Sequence, residues 1–566
     1  MKRILSCKIR KAGIFMLAAM LLCTTSCIYD EITEDAPLHS GDGKAYIRIK
    51  VGFKDGNAMK TRTYEPSYED EDSERKVSGF RVFLVKKDDP SAEVVELKDL
   101  PMLDETTTKP FEIDPAYTHG YLAYIVANAG SIEPKTTSGN DFRGEYALTE
   151  SGCAKVWEPD HFLMVNVRNQ IPEKDGEAPY GGVPLEIDEP GKYSIDNPFT
   201  LTITLERLAA KVVVNCDAGD YDFGGLYNHF PGFFKDVKIE SVALINCVNR
   251  LYLIQRWRKA ILYEEQWEDA SKSESTPEGA PYGYPYLWCI TPSSDVSYPT
   301  TSGYYNRFSD FTDFSSYSLK PEAYGRFIPI DQKTNSVTMY CLENNSPNYL
   351  ELWSAFDASR DDIGDDNQWQ YAFGTKMRSR CTGVLFRVRA KVKADSHHTG
   401  EVIVDPEEGK WTTKSQLSAS DEDYPTFYCY RKYVTSSLEA LFRDNPSLTG
   451  NGLTASSSVK ELRSAGVKVY ENGYMYYVHW ITDMNYKYLY TYKTEPDEAD
   501  EFNDIAVLRN TRYEISVGSV SEIGMDLPGR EVDNAGTVIE GNKYQLYPIV
   551  WGGWEFDEDI LNELRK

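Results

Sequence analysis

Apolar residues occupy every second position over residues 44–53, where Ala45, Ile47, Ile49, Val51 and Phe53 alternate with Tyr46, Arg48, Lys50 and Gly52. A period of two puts those five side chains on one face of an extended chain, which predicts a half-buried β-strand. The same period returns in 77–85, 237–245, 337–342 and 384–392, and in the front part of the long run 199–215. Residues 121–127 are apolar almost throughout, as a strand covered on both faces is, and the run stops at Asn128-Ala-Gly130. Short turn-bounded pieces are read at 92–97, 162–166 and 181–185. Further strands follow at 475–481, 505–508, 513–520 and 543–556.

A helical period shows only twice. Residues 436–443 set Leu438, Leu441 and Phe442 on one face, and 457–462 form a second short candidate, both inside a long insertion between strands. No fixed-period repeat is visible. The spacing of strands and turns therefore predicts an all-β chain of two β-sandwich domains, with short inserted helices in the second. The polar break Cys216-Asp-Ala-Gly-Asp-Tyr-Asp-Phe-Gly-Gly225 marks the boundary, giving an N-terminal domain over 44–216 and a C-terminal domain with long insertions over 217–566. The stretch 250–333, crowded with Tyr, Pro, Ser and Gly, is long for a loop and is expected to pack on the second sandwich.

Composition agrees with the pattern. Forty tyrosines and ten tryptophans with 28 prolines and 39 glycines suit strands joined by many turns. A length of 566 residues allows two or three domains, each with a full core. The net charge of −27 repels phosphate backbones and anionic headgroups, so nucleic acid is not a partner class for this surface. Beyond Cys27 stand Cys153, Cys216, Cys247, Cys289, Cys341, Cys381 and Cys429, none spaced as C-x-x-C and odd in number. They read as buried single thiols, not as a zinc framework or a disulfide-dense scaffold.

The first residues carry an address. Lys2, Arg3, Lys8, Arg10 and Lys11 precede the apolar run 14–22, which is far shorter than the roughly 20 apolar residues that span a bilayer. The run ends in Thr-Thr-Ser-Cys27. This resembles the lipobox of bacterial lipoproteins, which implies a signal peptide over 1–26 and acylation of Cys27. Ser26 supplies the small residue before the bond, whereas Cys23 follows the bulky Leu22. An acylated Cys27 would tether the chain to an outer membrane without spanning it, and the acidic segment 27–43 would serve as the tether. Loss of 1–26 removes five positive charges and no negative one, so the remainder is more acidic still.

Motifs for catalysis are not found. No H-E-x-x-H, G-x-S-x-G, P-loop or Rossmann glycine pattern occurs, and the expectation is a protein that is not an enzyme, with no catalytic, cofactor-binding or metal residue to nominate. His397-His398 sits in a polar turn and reads as exposed. The run Asp361-Asp-Ile-Gly-Asp-Asp-Asn367 lacks the alternation and closing glutamate of a calcium loop and reads as a solvated acidic turn. Among 88 acidic residues no glycosidase pair can be singled out without geometry.

Several strands are recognisable together. Leu205-Glu-Arg-Leu-Ala-Ala-Lys-Val212, preceded by Gly182-Val-Pro-Leu185 and by Tyr124-Ile-Val-Ala-Asn128, resembles the strand set that closes the N-terminal domain of Bacteroidetes-type fimbrillins. Tyr340-Cys-Leu-Glu-Asn344 resembles the family's glutamate-asparagine strand end, and 384–392 stands where its next strand stands. Asn472-Gly-Tyr-Met-Tyr-Tyr-Val-His-Trp-Ile481, then 505–517 and Gly524, are similar to the minor-fimbrium subunit branch. Each string is weak alone, but their shared order covers the chain from Cys27 to Phe556.

The resemblance implies two transthyretin-like sandwiches in a lipoprotein precursor carried to the cell surface and built into a fimbrium. A trypsin-like surface protease would cut in the loop after the first strand, and a neighbouring subunit's strand would fill the vacated groove, by strand addition to an open sheet. The excised face is Ala45, Ile47, Ile49, Val51 and Phe53; the cut falls after Arg62, with Lys60 second and Arg48 excluded inside the strand. The residues leave Arg62 open between a processing site and an ordinary solvated arginine. The donor candidate, 543–556, carries Tyr544, Leu546, Val550, Trp554 and Phe556 on one parity, with Pro548 suited to an edge. It reads equally as the last strand of its own domain, and Gly552-Gly553 with the charged tail 557–566 leave stalk, anchor and tip subunit all open. The alternative function is a surface lipoprotein that binds glycan or a host ligand through Tyr/Trp platforms in 250–333, Trp288 among them.

Overall fold

The computed structural model describes residues 44–53, 72–166, 182–216, 234–259, 287–294, 303–305, 327–331, 333–345, 380–392, 401–404, 411–413, 424, 426–430, 433–481, 506–520, 523–527 and 546–551. In the first half the strands are β1 (Ala45–Phe53), β2 (Phe80–Lys86), β3 (Val95–Leu97), β4 (Phe111–Ile113), β5 (Tyr121–Ala127), β6 (Glu145–Ala147), β7 (Met164–Asn166), β8 (Val183–Leu185), β9 (Phe199–Arg207) and β10 (Ala209–Cys216). In the second half they are β11 (Phe234–Ile245), β12 (Cys247–Val248), β13 (Arg250–Tyr252), β14 (Arg256–Lys259), β15 (Leu287–Ile290), β16 (Tyr304–Tyr305), β17 (Ile328–Pro329), β18 (Ser336–Leu342), β19 (Asn344–Asn345) and β20 (Gly383–Val392). They continue as β21 (Glu401–Val404), β22 (Trp411–Thr413), β23 (Phe427–Tyr430), β24 (Tyr433–Thr435), β25 (Lys468–Tyr470), β26 (Tyr474–Trp480), β27 (Ala506–Val507), β28 (Arg512–Val520) and β29 (Leu546–Trp551). The fold is all-β, as the alternation predicts.

One eight-stranded sheet, in the order β3-β2-β5-β7-β9-β1-β4 with β8 against β5, surrounds the first core. The nearly continuous apolar strand β5 lies between β2 and β7, and Ala123 to Ala127 are buried on both faces. It ends where Asn128 takes a left-handed conformation at φ 57°, tolerable for asparagine because its short polar side chain bonds locally.

The second core lies between two sheets. β10, β18 and β28 contribute Val212, Val214, Met339 and Ile515, while β11, β20 and β26 contribute Val242, Phe386, Val388 and Tyr477. These two four-stranded sheets, β18-β10-β28-β29 and β17-β11-β20-β26, face one another as a sandwich. A smaller sheet, β22-β21-β24-β23-β25, carries the inserted helices Leu438–Asp444, Pro446–Gly450 and Val459–Ser464 around Leu441, Leu448 and Leu462. The last helix starts in a capping box. Glu461 N–H donates to Ser458 Oγ at 3.3 Å and Ser458 N–H to Glu461 Oε2 at 2.7 Å, satisfying two donors that have no partner inside the helix.

Two boundaries differ from the sequence reading. The long β-signal over 199–215 is two strands, parted at Leu208: β9 pairs with β1 and β7, but β10 pairs with β18 and β28. Ala209 still belongs to the first core and Ala210 to the second, so the chain changes body there and not at Cys216. No turn residue marks the change: residues 205–214 are buried without a break, and only the distant partners of β9 and β10 distinguish the two strands. The second correction is at 248–254. Val248, Leu251, Leu253 and Ile254 pack in the first core, and β13 pairs with β6, so this part of the expected C-terminal domain belongs to the first body.

Candidate strand-replacement site

The site is the slot that holds β1. Its alternation is realised in the core: Ala45, Ile47 and Ile49 are fully buried and Val51 nearly so, while Lys50 faces outward. The strand runs parallel to β9, with Ile47 opposite Phe199, Ile49 opposite Leu201, Val51 opposite Ile203 and Phe53 opposite Leu205. Odd-numbered residues thus meet odd-numbered residues, and Leu201, Ile203 and Leu205 are buried in the same core. A shift of one residue would turn every apolar side chain outward.

The other flank is shorter. β4 pairs antiparallel with Ala45, Tyr46 and Ile47 alone. Beyond it the loop 104–108 continues the contact: Thr108 N–H donates to the Ile49 carbonyl at 2.9 Å, and Ile49 N–H donates to Thr108 Oγ1 at 2.9 Å. Val51 N–H donates to the Thr106 carbonyl at 2.8 Å. Asp104 holds that loop by accepting from Thr106 N–H at 2.8 Å and from its hydroxyl at 2.9 Å, which lowers the Asp104 carboxyl below its ordinary range. At the start of β1, Tyr46 N–H reaches the Tyr193 carbonyl at 3.1 Å and the exposed Lys44 pairs with Glu112 at 2.9 Å.

β1 is therefore bound as a peptide is bound in a sheet, by backbone ladders on both sides and by alternate side chains in one apolar trough. Burial of Ile47, Ile49 and Val51 alone contributes about 4.5–9 kcal/mol at roughly 1.5–3 kcal/mol for each such side chain. Without β1, the edges of β9 and of 106–113 would carry unpaired donors and acceptors beside that trough.

The C-terminal strand occupies a different sheet edge. β29 pairs antiparallel with β28, with Val550 opposite Ile515, Pro548 opposite Val517 and Leu546 opposite Val520, and a register shift between Val517 and Val520. It is the outermost strand of β18-β10-β28-β29, where a proline costs no ladder bond to a further neighbour. The structure thus seats the donor candidate on its own sandwich, some distance in topology from the β1 slot. Cys27, Lys60, Arg62, Tyr544, Trp554 and Phe556 lie outside the described residues, as do His397, His398 and the acidic turn 361–367. Most of the 250–333 stretch does too; Trp288 falls within β15, paired through its backbone with Arg258.

Among the described residues, Cys153, Cys216, Cys247, Cys341 and Cys381 are buried and Cys429 is half-buried, and no group of three or more His, Cys, Asp or Glu side chains could hold a metal ion. No helix among them is long and apolar enough to cross a membrane. The sequence reading missed the buried charges at the joint of the two bodies. Arg509 pairs with Glu343 at 2.6 Å, both 1 % exposed, and donates to the carbonyls of Leu253 and Tyr252. Lys211 pairs with Glu74 at 2.6 Å, again buried. Partners separated by more than a hundred residues leave no local signal.

No family model and no curated protein matches the chain. Solved structures similar to it include a candidate cell adhesion protein of Bacteroides eggerthii, at 9 % identity and TM-score 0.35, with 90 % of this chain and 95 % of that one covered. Another is a candidate cell adhesion protein of Parabacteroides distasonis, at 11 % identity and TM-score 0.33, with 92 % and 98 % covered. A third is the tip fimbrial protein Mfa3 of Porphyromonas gingivalis with a C-terminal truncation, at 10 % identity and TM-score 0.29, with 84 % and 95 % covered. The architecture described above stands on its own strand pairing and not on these likenesses.

Proposed function

We propose that the chain is a structural subunit of a cell-surface fimbrium, exported as a lipoprotein through Cys27 and assembled by strand replacement. A trypsin-like protease cuts after Arg62, β1 leaves, and a strand from a neighbouring subunit enters the slot between β9 and β4. The donor is the C-terminal stretch around β29, which already lies at a sheet edge. The proposal includes no catalytic step and no cofactor. The observation that carries it is the combination in β1 of buried alternating residues, Ala45, Ile47, Ile49 and Val51, with two-sided backbone pairing. Those are the properties an exchangeable strand needs: affinity from the ladder and selectivity from alternate side chains.

The test is to incubate the purified precursor with a trypsin-like protease and follow assembly by denaturing gel without boiling. A ladder of oligomers that forms only after cleavage, and is lost when residues 543–566 are deleted, is the expected result. A processed chain that has lost β1 yet stays monomeric would refute the reading. Mass spectrometry of the native N-terminus tests Cys27 and Arg62 together.

A second reading, a surface protein that binds glycan or a host ligand, has its own observation. On the outer face of β20 and β26, Arg389 lies over Tyr424 at 3.8 Å and over Tyr474 at 4.9 Å, and Arg387 over Tyr474 and Phe327, each at 5.1 Å. Such a row of guanidinium and aromatic planes offers stacking faces to a sugar ring. Glycan-array binding that disappears in Tyr474→Ala would favour it.

A further inference from the structure

We infer that residues 73–78 form a strap that locks the two bodies together and sets the limit of the N-terminal segment a protease can release; the second half of the statement rests on the strand-replacement reading above. The strap begins within the one-turn helix Asp72–Arg75 and continues past it. Towards the second body, Glu74 Oε1 accepts from Lys211 Nζ at 2.6 Å and from the Tyr340 hydroxyl. Lys211 and Tyr340 are direct neighbours across β10 and β18. The Glu74 carbonyl accepts from Arg207 Nε at 2.8 Å, and Arg207 reaches on to Asn510 Oδ1 at 3.2 Å.

Towards the first body the contacts are as dense. Asp160 N–H donates to the Ser73 carbonyl at 2.9 Å, and the Ser78 hydroxyl donates to the Asp160 carbonyl at 3.1 Å. Asn128 closes a ring around the chain. Its Nδ2 donates to the carbonyls of Lys76 at 2.8 Å and Phe162 at 2.9 Å, while its Oδ1 accepts from Ser78 N–H at 2.9 Å. Val77 is sunk in the first core. Glu74 is 1 % exposed, so its charge is stable there only while Lys211 answers it.

This arrangement divides the basic residues after β1 into two groups. Arg75 and Lys76 have exposed side chains of the type a trypsin-like protease selects, yet the backbone on both sides of them is bonded. Cleavage needs an opened stretch, so it samples only the locally unfolded fraction. Lys54, Lys60 and Arg62 precede the strap. A cut among those three would free β1 of its covalent link and leave the strap, and with it the joint of the two bodies, in place.

The experiment is timed limited trypsin digestion of the full chain, with mass spectrometry counting peptides that end at Arg75 or Lys76. In the wild type these bonds are expected to outlast cuts in 54–62 by at least about a hundredfold in time. Glu74→Ala is expected to raise cleavage at Arg75 and Lys76 at least tenfold, and Lys211→Met to do the same from the opposite body. Tyr340→Phe, which removes one bond and no charge, is expected to have a smaller effect. Leu462→Ala, in the distant helical cluster, controls for general destabilisation and is expected to leave Arg75 protected. Equal cleavage at Arg75 and Arg62 in the wild type would overturn the strap, as would Leu462→Ala opening Arg75 as much as Glu74→Ala. The fate of β1 is scored separately by its co-elution. If β1 stays bound after cleavage while Arg75 remains protected, strand replacement fails and the strap stands.

Discussion

Replacing Ile49 with alanine tests how β1 is held. Ile49 is fully buried in the first core and both of its backbone groups are bonded to Thr108. The substitution removes three carbons, about 2.4 kcal/mol at 0.8 kcal/mol per methylene, and leaves a cavity that brings the cost to roughly 3 kcal/mol. The backbone ladder is untouched, so the loss belongs to the side chain. In the intact chain the denaturation midpoint of the first body should fall accordingly. In a chain cut between β1 and the strap, the same 3 kcal/mol becomes a weaker grip on a separate peptide, about 150-fold in its dissociation constant. The assay is native mass spectrometry of the cut protein over time, reading the fraction that retains β1. Lys50→Ala, one residue along and exposed, should change retention by less than about twofold, since surface substitutions stay within about 0.5 kcal/mol. Equal retention in the two variants would refute the claim that the apolar trough holds the strand.

Other outcomes follow from the same geometry. Asn128→Ala loses three hydrogen bonds and forces a left-handed φ on alanine, and should cost about 3–4 kcal/mol; Asn128→Gly should recover about 1 kcal/mol of that in urea denaturation. Glu343→Gln takes from the buried Arg509 its nearer counter-charge, leaving Glu206 at 3.9 Å, and should destabilise by about 3 kcal/mol in the same measurement. Ser458→Ala breaks the capping box and should cost about 1 kcal/mol, visible as faster amide exchange in Val459–Ser464. His479 has an enclosed Nε2 with no partner among the described residues, and burial lowers its pKa from 6.5 to about 4. The unfolded chain then binds the extra proton between those values, so stability is present above pH 6.5 and is lost as pH falls towards 4, by up to about 3.5 kcal/mol at 1.4 kcal/mol per pH unit. Replacing His479 with glutamine should flatten that part of the curve of stability against pH.

What was legible in the residues was whatever depends on near neighbours. The alternation of 44–53 specified β1 and its buried face, because the side-chain repeat of a strand is local geometry. The unbroken apolar run 121–127 specified a strand covered on both sides, and 457–462 a short helix. Pro548 placed β29 at an edge. Each of these was visible within about ten residues of chain.

Sheet membership was not. Residues 199–215 read as one long β-signal, yet it parts at Leu208 between two cores, since the partners that draw β10 away are β18 and β28, more than a hundred residues downstream. The return of Leu251, Leu253 and Ile254 to the first core was hidden for the same reason, as was the pairing of Glu74 with Lys211. Sequence by itself determined which segments extend, which faces are apolar and where β1 begins and ends. Tertiary structure alone decided that β1 lies between β9 and β4, that β29 rests on its own sandwich, and that buried charges fasten the strap. Burial makes the difference: an isolated Glu or Lys in the sequence is a solvated charge, and only the folded chain removes the water and leaves each as the other's partner.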